Sequence, residues 1–277
     1  MIDAVFQLLF RFEGTLTKKQ ICRALGITKY QEFEKLQTII QSDNRFVPIS
    51  NKLWKIAPLE EFLEDKPLKE VIFVITDIET TGPIKGKDRI IDLAALKVKN
   101  GEVLGEFNTL VNPEKSISYR IARLTGVSNK MVMNAPFIEE ILPDFVKFAN
   151  EGIFVAHNAL FDFHFINAEI TRLGIEPFKN RVEICSLRLA KKLLPSISSH
   201  GVVGLSEFFN YNMENHHRAM PDVLAIKYFF DRFSELLEEL GITTLFQLID
   251  FQKDKITKKK LRKKISRFFK KTKSITR

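Results

Sequence analysis

Two acids, Asp77 and Glu79, close an apolar run that begins Val71-Ile-Phe-Val-Ile-Thr76. In an extended strand residues i and i+2 project to the same side, so these two carboxylates stand next to one another. Like charges that close are unfavourable unless a cation lies between them, and a divalent metal meets that need. Gly82-Pro83 then breaks the strand. Three more polar residues are of interest. Asp162 opens a helical stretch in His157-Asn-Ala-Leu-Phe-Asp162, Asp222 follows Pro221 at another helix start, and His217 stands five residues before Asp222. Each has a bland reading when taken alone: a chance acidic pair at a strand end, first-turn acids complementing a helix dipole, a solvated loop histidine. All five, however, map to strand ends or helix starts, where open α/β sheets bind their ligands. Four carboxylates converging without a metal would cost about several kcal/mol, because most would have to be protonated. Oxygen-only donors select hard ions, Mg²⁺ or Mn²⁺. Two such ions about 4 Å apart activate a water and stabilise a leaving oxygen during in-line attack on phosphorus. A neutral imidazole, with an ordinary pKa of about 6.5, suits the water's proton.

The elements that must position these groups are readable along the chain. Residues 2–12 predict an apolar helix, Thr17 an N-cap for Lys18–Leu25 with Gly26 closing it, and Thr28 with Gln31 the start of a helix from Tyr30 to about Ser42. Two alternating runs, Arg45–Ile49 and Lys52–Ala57, predict a hairpin. This order over residues 1–58 resembles a winged helix-turn-helix. Its would-be recognition helix carries Glu32 and Glu34 beside Lys29 and Lys35, so DNA binding, protein docking and a structural role stay open. Residues 59–70 are a charged connector. The central strand, Arg89–Val98 and Glu102–Val111 predict an antiparallel meander, the last two joined by Asn100-Gly101. Helices are expected at Ile117–Leu124, Ser128–Met133, Ile138–Asn150, Leu160–Leu173, Ser186–Leu194 and Pro221–Leu240, strands at Ile153–Ala156 and Val182–Cys185, and a loop at Ser196–Gly204. The class is α/β: a mixed five-stranded sheet flanked by helices over 71–240, a small winged-helix-like α+β domain before it, and a basic helical or disordered tail over 241–277.

With these motifs in place, residues 71–240 closely resemble the DEDDh-type 3′–5′ exonucleases of the RNase H-like fold, such as the proofreading epsilon subunit of bacterial replicative DNA polymerase. Asp77-Ile-Glu79-Thr-Thr-Gly82, His157-Asn158 with Phe161-Asp162, and His217-Arg-Ala-Met-Pro-Asp222 match the three family motifs, and Phe107–Pro113 and Leu124–Val127 match its connecting phrases. The resemblance implies that Asp77 bridges two metals, that Glu79 and Asp222 complete the first site, and that Asp162 supports the second. It makes His217 the general base, places Thr80 and Thr81 beside the 3′-terminal nucleotide, and has Asn158 and Phe161 line its pocket. Asp92 stands where the family usually has Glu, and Pro221, with its fixed φ, precedes the last carboxylate. His216 adjoins His217, and the five-residue spacing to Asp222 selects His217.

Composition bounds the remaining classes. Hydrophobic residues make up 45% and charged residues 28% of the 277, enough for a full core, and no apolar run is long enough to span a bilayer. An acid at position 3 and two distant cysteines, Cys22 and Cys185, read as a cytoplasmic protein with no disulfide framework. Of the net +9, the segment Lys253–Arg277 supplies +12, so residues 1–252 carry −3 and the basic character belongs to the tail. The expected function is metal-dependent release of nucleoside monophosphates from single-stranded DNA 3′ ends in proofreading or repair, with a DNA polymerase subunit as a candidate partner. The alternatives are an RNA-trimming exonuclease using the same residues and a non-catalytic nucleic-acid-binding scaffold. A scaffold would have no need for mutually repelling carboxylates.

Overall fold

The computed structural model describes residues 5, 16–42, 46–50, 53–56, 63–176, 178, 182–213 and 218–253. They divide into two compact units, 1–65 and 66–277. Of the helix expected over residues 2–12, only Val5 is described.

In the first unit, β1 (Leu16–Thr17) leads into α1 (Lys18–Leu25), followed by α2 (Tyr30–Ser42), β2 (Phe46–Ser50) and β3 (Leu53–Ile56). Thr17 starts α1 through a capping box with Gln20, and Gly26 ends it in the left-handed region at φ 66°. The hairpin forms as expected, with an irregularity between Pro48 and Ser50. A third strand, β1, pairs with β3 at Leu16↔Trp54, which two residues are too short to announce by alternation. Phe33, Leu36, Ile40 and Trp54 are buried at 1% exposure or less.

The second unit contains β4 (Ile72–Thr80), β5 (Ile90–Lys99), β6 (Glu102–Leu110), α3 (Tyr119–Thr125), α4 (Asn129–Val132), α5 (Ile138–Ala149), β7 (Ile153–Ala156), α6 (Ala159–Leu173), β8 (Glu183–Cys185), α7 (Ser186–Leu193), α8 (Val202–Phe209), α9 (Ala219–Leu240) and α10 (Leu245–Gln252). The five-stranded sheet has the order β6-β5-β4-β7-β8. β4–β5–β6 is the antiparallel meander, turned at Asn100 and Gly101 with φ 50° and 81°, the positive values an Asn-Gly hairpin needs. β4, β7 and β8 run parallel, so their carboxyl ends share one edge of the sheet.

Both faces of β4 are covered. Val74 and Ile78 join a core with Leu142, Phe145, Phe163 and Ile166 of α5 and α6. On the other face Phe73 meets Phe230 of α9 edge-on, ring centres 4.9 Å apart. Since side chains alternate along a strand, Asp77 and Glu79 share the α9 side with Phe73. Four residues of strand span about 13 Å, and the eight helical residues from Phe230 back to Asp222 span about 12 Å. Asp222 is thereby delivered to the level of Asp77.

Two expectations need correction. The stretch Ser196–Gly204 is only partly a loop, because α8 begins at Val202. Gly204 masks that helix by its low propensity, yet it is required: a Cβ there would lie 2.5 Å from Ser199 Cβ. Likewise the segment after Leu240 is not all tail. Thr244 and Gln247 form a capping box for α10, whose Leu245, Leu248, Ile249 and Phe251 are buried. Gln252 closes the outer edge of β8, its Oε1 accepting from Cys185 N at 3.1 Å and its amide donating to Glu183 O at 2.9 Å. Residues 254–277 lie outside the described residues, so the rest of the expected basic tail does too.

Candidate active site

β4 is buried at every residue from Phe73 to Thr76, and then partial exposure returns at Asp77 and Glu79 while Ile78 stays inside. The sheet explains the change. The last parallel pair with β7 is Ile75↔Val155, and β7 ends one residue later, so the final residues of β4 keep β5 as a neighbour but lose β7. The backbone N–H of Ile78, between the two acids, instead donates to Asp162 Oδ1 at 3.3 Å. That bond ties the start of α6 to β4. Asp222 arrives in the first turn of α9, and ligand oxygens of Asp77, Glu79 and Asp222 lie within 4.8 Å of one another. Asp162 and Asp222 are buried at 3% and 8% exposure.

The electrostatics follow from this crowding. Removal from water raises the Asp77 carboxyl well above its ordinary range, and Asp162, Asp222 and Glu79 raise it further. Glu79 is pushed up to about 8, by burial first and then by Asp222 and Asp92, with Arg218 opposing. Burial lifts Asp162 to about 7 despite hydrogen bonds from backbone N–H groups, including that of Ile78. Carboxylates that resist ionisation, converge through oxygen and remain reachable from solvent fit a hard divalent cation.

A neighbouring ion pair was only half visible in the sequence. Asp92 pairs across the sheet with Glu79, is 1% exposed, and accepts from Arg218 Nε at 2.7 Å and from Ala219 N at 3.4 Å. Asp92 therefore binds the backbone on which α9 begins, a role the shorter acid fills at direct contact distance. The signal for Arg218 was its place inside the third motif, between His217 and Asp222. His217 itself, with residues 214–216, lies outside the described residues. Pro221 sits in the first turn of α9, where a missing N–H costs nothing, and the helix proceeds through Asp222.

Of the remaining expected residues, Thr80 and Thr81 lie at the end of β4, and Asn158 and Phe161 at the start of α6. Thr80 Oγ1 donates to Gly82 O at 2.8 Å, and Thr81 Oγ1 donates to Asp88 Oδ1 at 3.3 Å while accepting from Arg89 N at 3.0 Å. Both hydroxyls thus shape the turn after β4. A Cβ on Gly82 would meet Asp88 Oδ2 at 2.5 Å, so a side chain there would displace the Asp88 carboxyl from its place in the turn. Asn158 takes a left-handed conformation, φ 71° and ψ 46°, between β7 and α6, and is exposed. Phe161 is partly buried against Phe165, ring centres 5.6 Å apart.

The family model for exonucleases, RNase_T, matches residues 74–230, more than half of the chain, and the chain belongs to this exonuclease family. Among curated relatives it is 39% identical over 179 residues to a PolC-type DNA polymerase III of Staphylococcus haemolyticus and 38% identical over 186 residues to that of Staphylococcus aureus. The alignments cover 65% and 67% of this chain but only 12% and 13% of those polymerases, so the chain spans about an eighth of their length. Among solved structures it is similar to E. coli exonuclease I in complex with a dT13 oligonucleotide, at TM-score 0.56 and 17% identity, covering 62% of this chain and 43% of that one; this likeness concerns the fold. No described helix is long and apolar enough to cross a membrane.

Proposed function

We propose that this protein is a metal-dependent 3′–5′ exonuclease that releases nucleoside monophosphates from single-stranded DNA ends, in proofreading or repair. One observation carries the reading: in a chain of the exonuclease family, ligand oxygens of Asp77, Glu79 and Asp222 converge within 4.8 Å, with Asp162 bonded to the same strand. The likeness to a section of PolC-type DNA polymerase III supports the proofreading setting and a polymerase as partner. Asp77, Glu79, Asp162 and Asp222 would hold Mg²⁺ or Mn²⁺, two ions per site. When bound, such ions make water a nucleophile and neutralise charge on the phosphodiester oxygens.

This chain's own groups do the rest. His217 takes the proton of the attacking water; supporting this, it is joined directly to Arg218, which Asp92 holds beside Glu79. Thr80, Thr81, Asn158 and Phe161 receive the terminal nucleotide. With the threonine hydroxyls engaged internally, the turn contributes its shape, and Phe161 offers an apolar surface to the base. The N-terminal unit is a winged-helix-like module, and the segment beyond Lys253 a basic tail.

Digestion of 5′-labelled and 3′-labelled single strands of DNA and RNA, in Mg²⁺, Mn²⁺ or chelator, tests the reading. A ladder of shortening 5′-labelled DNA and immediate release of mononucleotide from the 3′ label, both abolished by chelator, are expected. Preference for RNA would replace the substrate, and absence of cleavage in either metal would remove the enzyme.

A further inference from the structure

Beside the carboxylate cluster, the surface built by α3 and α4 differs from the rest of the unit in charge. From Lys115 to Ile138 there is no Asp or Glu, while Lys115, Arg120, Arg123 and Lys130 supply four cations. The protein outside its tail is net negative, so this face departs from its surroundings.

The two helices are firmly anchored from beneath. Ile117, Val127 and Val132 pack on Ile91 of β5, and the Asn129 side chain bonds Ile117 twice, accepting from its N–H at 2.7 Å and donating to its carbonyl at 3.0 Å. What faces outward has no comparable use. Tyr119 is 83% exposed, Leu124 49% and Met131 40%. Arg120, Arg123 and Lys130 are exposed too, and none of them enters an ion pair among the described residues. Tyr119 and Arg123, and Arg120 and Leu124, are four apart on α3, so ring and apolar side chain each stand beside a cation. Bases stack on exposed rings while cations follow the phosphates, the combination by which proteins hold single strands without reading sequence.

Position decides where such a strand would lead. Ile91 adjoins Asp92, which bonds Arg218, and a Cβ on Gly126, in the turn after α3, would lie 3.9 Å from Arg218 Cδ. At the other end of the face, Lys115 Nζ lies 3.4 Å from Asp88 Oδ1, the oxygen to which Thr81 donates. The cationic face therefore reaches Arg218, which Asp92 holds, and the turn that follows Glu79 at the end of β4.

We propose that α3 and α4 carry a track for single-stranded DNA that holds the strand upstream of its 3′-terminal nucleotide. Arg120, Arg123 and Lys130 neutralise phosphates, and Tyr119 stacks on a base. The direction of the strand rests on the exonuclease reading above, whereas the binding surface does not.

The test uses the full chain in EDTA, so that binding is measured without turnover. Fluorescent oligothymidylates of about 4 and about 20 nucleotides are titrated at several salt concentrations, with wild type, with Arg120→Gln/Arg123→Gln/Lys130→Gln and with Tyr119→Ala. Three phosphate contacts at about 0.7 each predict that the triple variant lowers the log–log salt slope for the long strand by about 2. Its affinity loss should be larger for the long strand than for the short one, and Tyr119→Ala should weaken long-strand binding by about tenfold. If the triple variant does not fold, Arg123→Gln alone should lower the slope by about 0.7. An unchanged slope, or equal losses on both lengths, overturns the track and leaves the nuclease reading intact. Absence of cleavage by wild type in Mg²⁺ or Mn²⁺ would overturn the nuclease reading, while the slope still decides the track.

Discussion

Replacing Asp77 by Asn should make the metal-free protein more stable and the enzyme inactive. The substitution keeps the shape of the side chain and removes one charge from a group of four. In the wild type, burial and the neighbouring carboxylates Asp222, Asp92 and Asp162 hold Glu79 at about 8 against an ordinary 4.5, and burial holds Asp162 at about 7 against 3.8. A carboxyl whose folded pKa is raised leaves stability intact below its unfolded pKa and erodes it as pH rises towards the folded value. The window is therefore pH 4.5 to about 8 for Glu79 and 3.8 to about 7 for Asp162. At about 1.4 kcal/mol per unit, keeping Glu79 protonated at pH 7 costs roughly 3 kcal/mol relative to the unfolded chain. The Asp77 carboxyl is itself raised, by burial first and then by Asp162, Asp222 and Glu79, so Asp77→Asn, which cannot ionise, should recover about 1–2 kcal/mol, the worth of about one pKa unit. At about 2–4 °C per kcal/mol for a domain of this size, its unfolding midpoint in EDTA at pH 8 should rise by several degrees. Added Mg²⁺ should raise the wild-type midpoint and barely move the variant's, and cleavage by the variant should fall to about a hundredth of wild type or less. Thermal unfolding in EDTA and in Mg²⁺ across pH 5–9, beside an oligonucleotide digestion, makes the comparison. If Asp77→Asn folds but unfolds at a lower temperature than wild type in EDTA at pH 8, the carboxylates are not in electrostatic conflict, and the argument for a cation between them collapses.

The other predictions concern separate parts of the chain. His217→Ala should slow turnover by about 10²–10⁴-fold, with the deficit narrowing as hydroxide becomes available at higher pH; a larger loss from His216→Ala would show that the other imidazole is the base. Truncation after Leu240 should cost several kcal/mol, at about 1.5–3 kcal/mol per buried large side chain, because it removes the buried α10 residues Leu245, Leu248, Ile249 and Phe251 together with the Gln252 clamp on β8. Truncation after Lys253 should leave the unfolding midpoint within a degree or two, which calorimetry separates readily. That shorter truncation should also flatten the salt slope of single-strand binding by about 3 if roughly four tail cations contact phosphates. Deleting residues 1–60 should leave cleavage of short oligonucleotides within several-fold, since the proposed catalytic residues all lie beyond the connector; a folded but inactive truncation would assign the N-terminal unit to the active site.

Much of this site could be read from local order alone. Asp77 and Glu79 declare a shared side because a strand has a period of two, and the apolar residues before them mark a central strand. Thr17, Gly26, Asn100 and Gly101 are equally legible, because caps and tight hairpins depend on one or two residues meeting a fixed backbone requirement. Helix α8 and strand β1 were not, for the opposite reason. Gly204 sits in a helix only because Ser199 presses against its face, and Leu16–Thr17 is a strand only because Trp54 and Leu53 pair with it. The basic character of the last residues likewise drew attention away from α10, whose apolar side chains and Gln252 serve the edge of β8.

The motifs by themselves determined which acids belong together and what kind of ion they suit, since ligand chemistry resides in the side chains. Distances in three dimensions decided the rest. Asp222 reaches Asp77 only because α9 runs back along β4 with Phe230 against Phe73. Asp162 accepts from the backbone N–H of Ile78, which lies beyond the last pair of β4 with β7. Arg218 finds Asp92 across 126 residues of chain. No periodicity encodes such contacts, because they are set by the packing of whole elements rather than by the order of neighbouring residues.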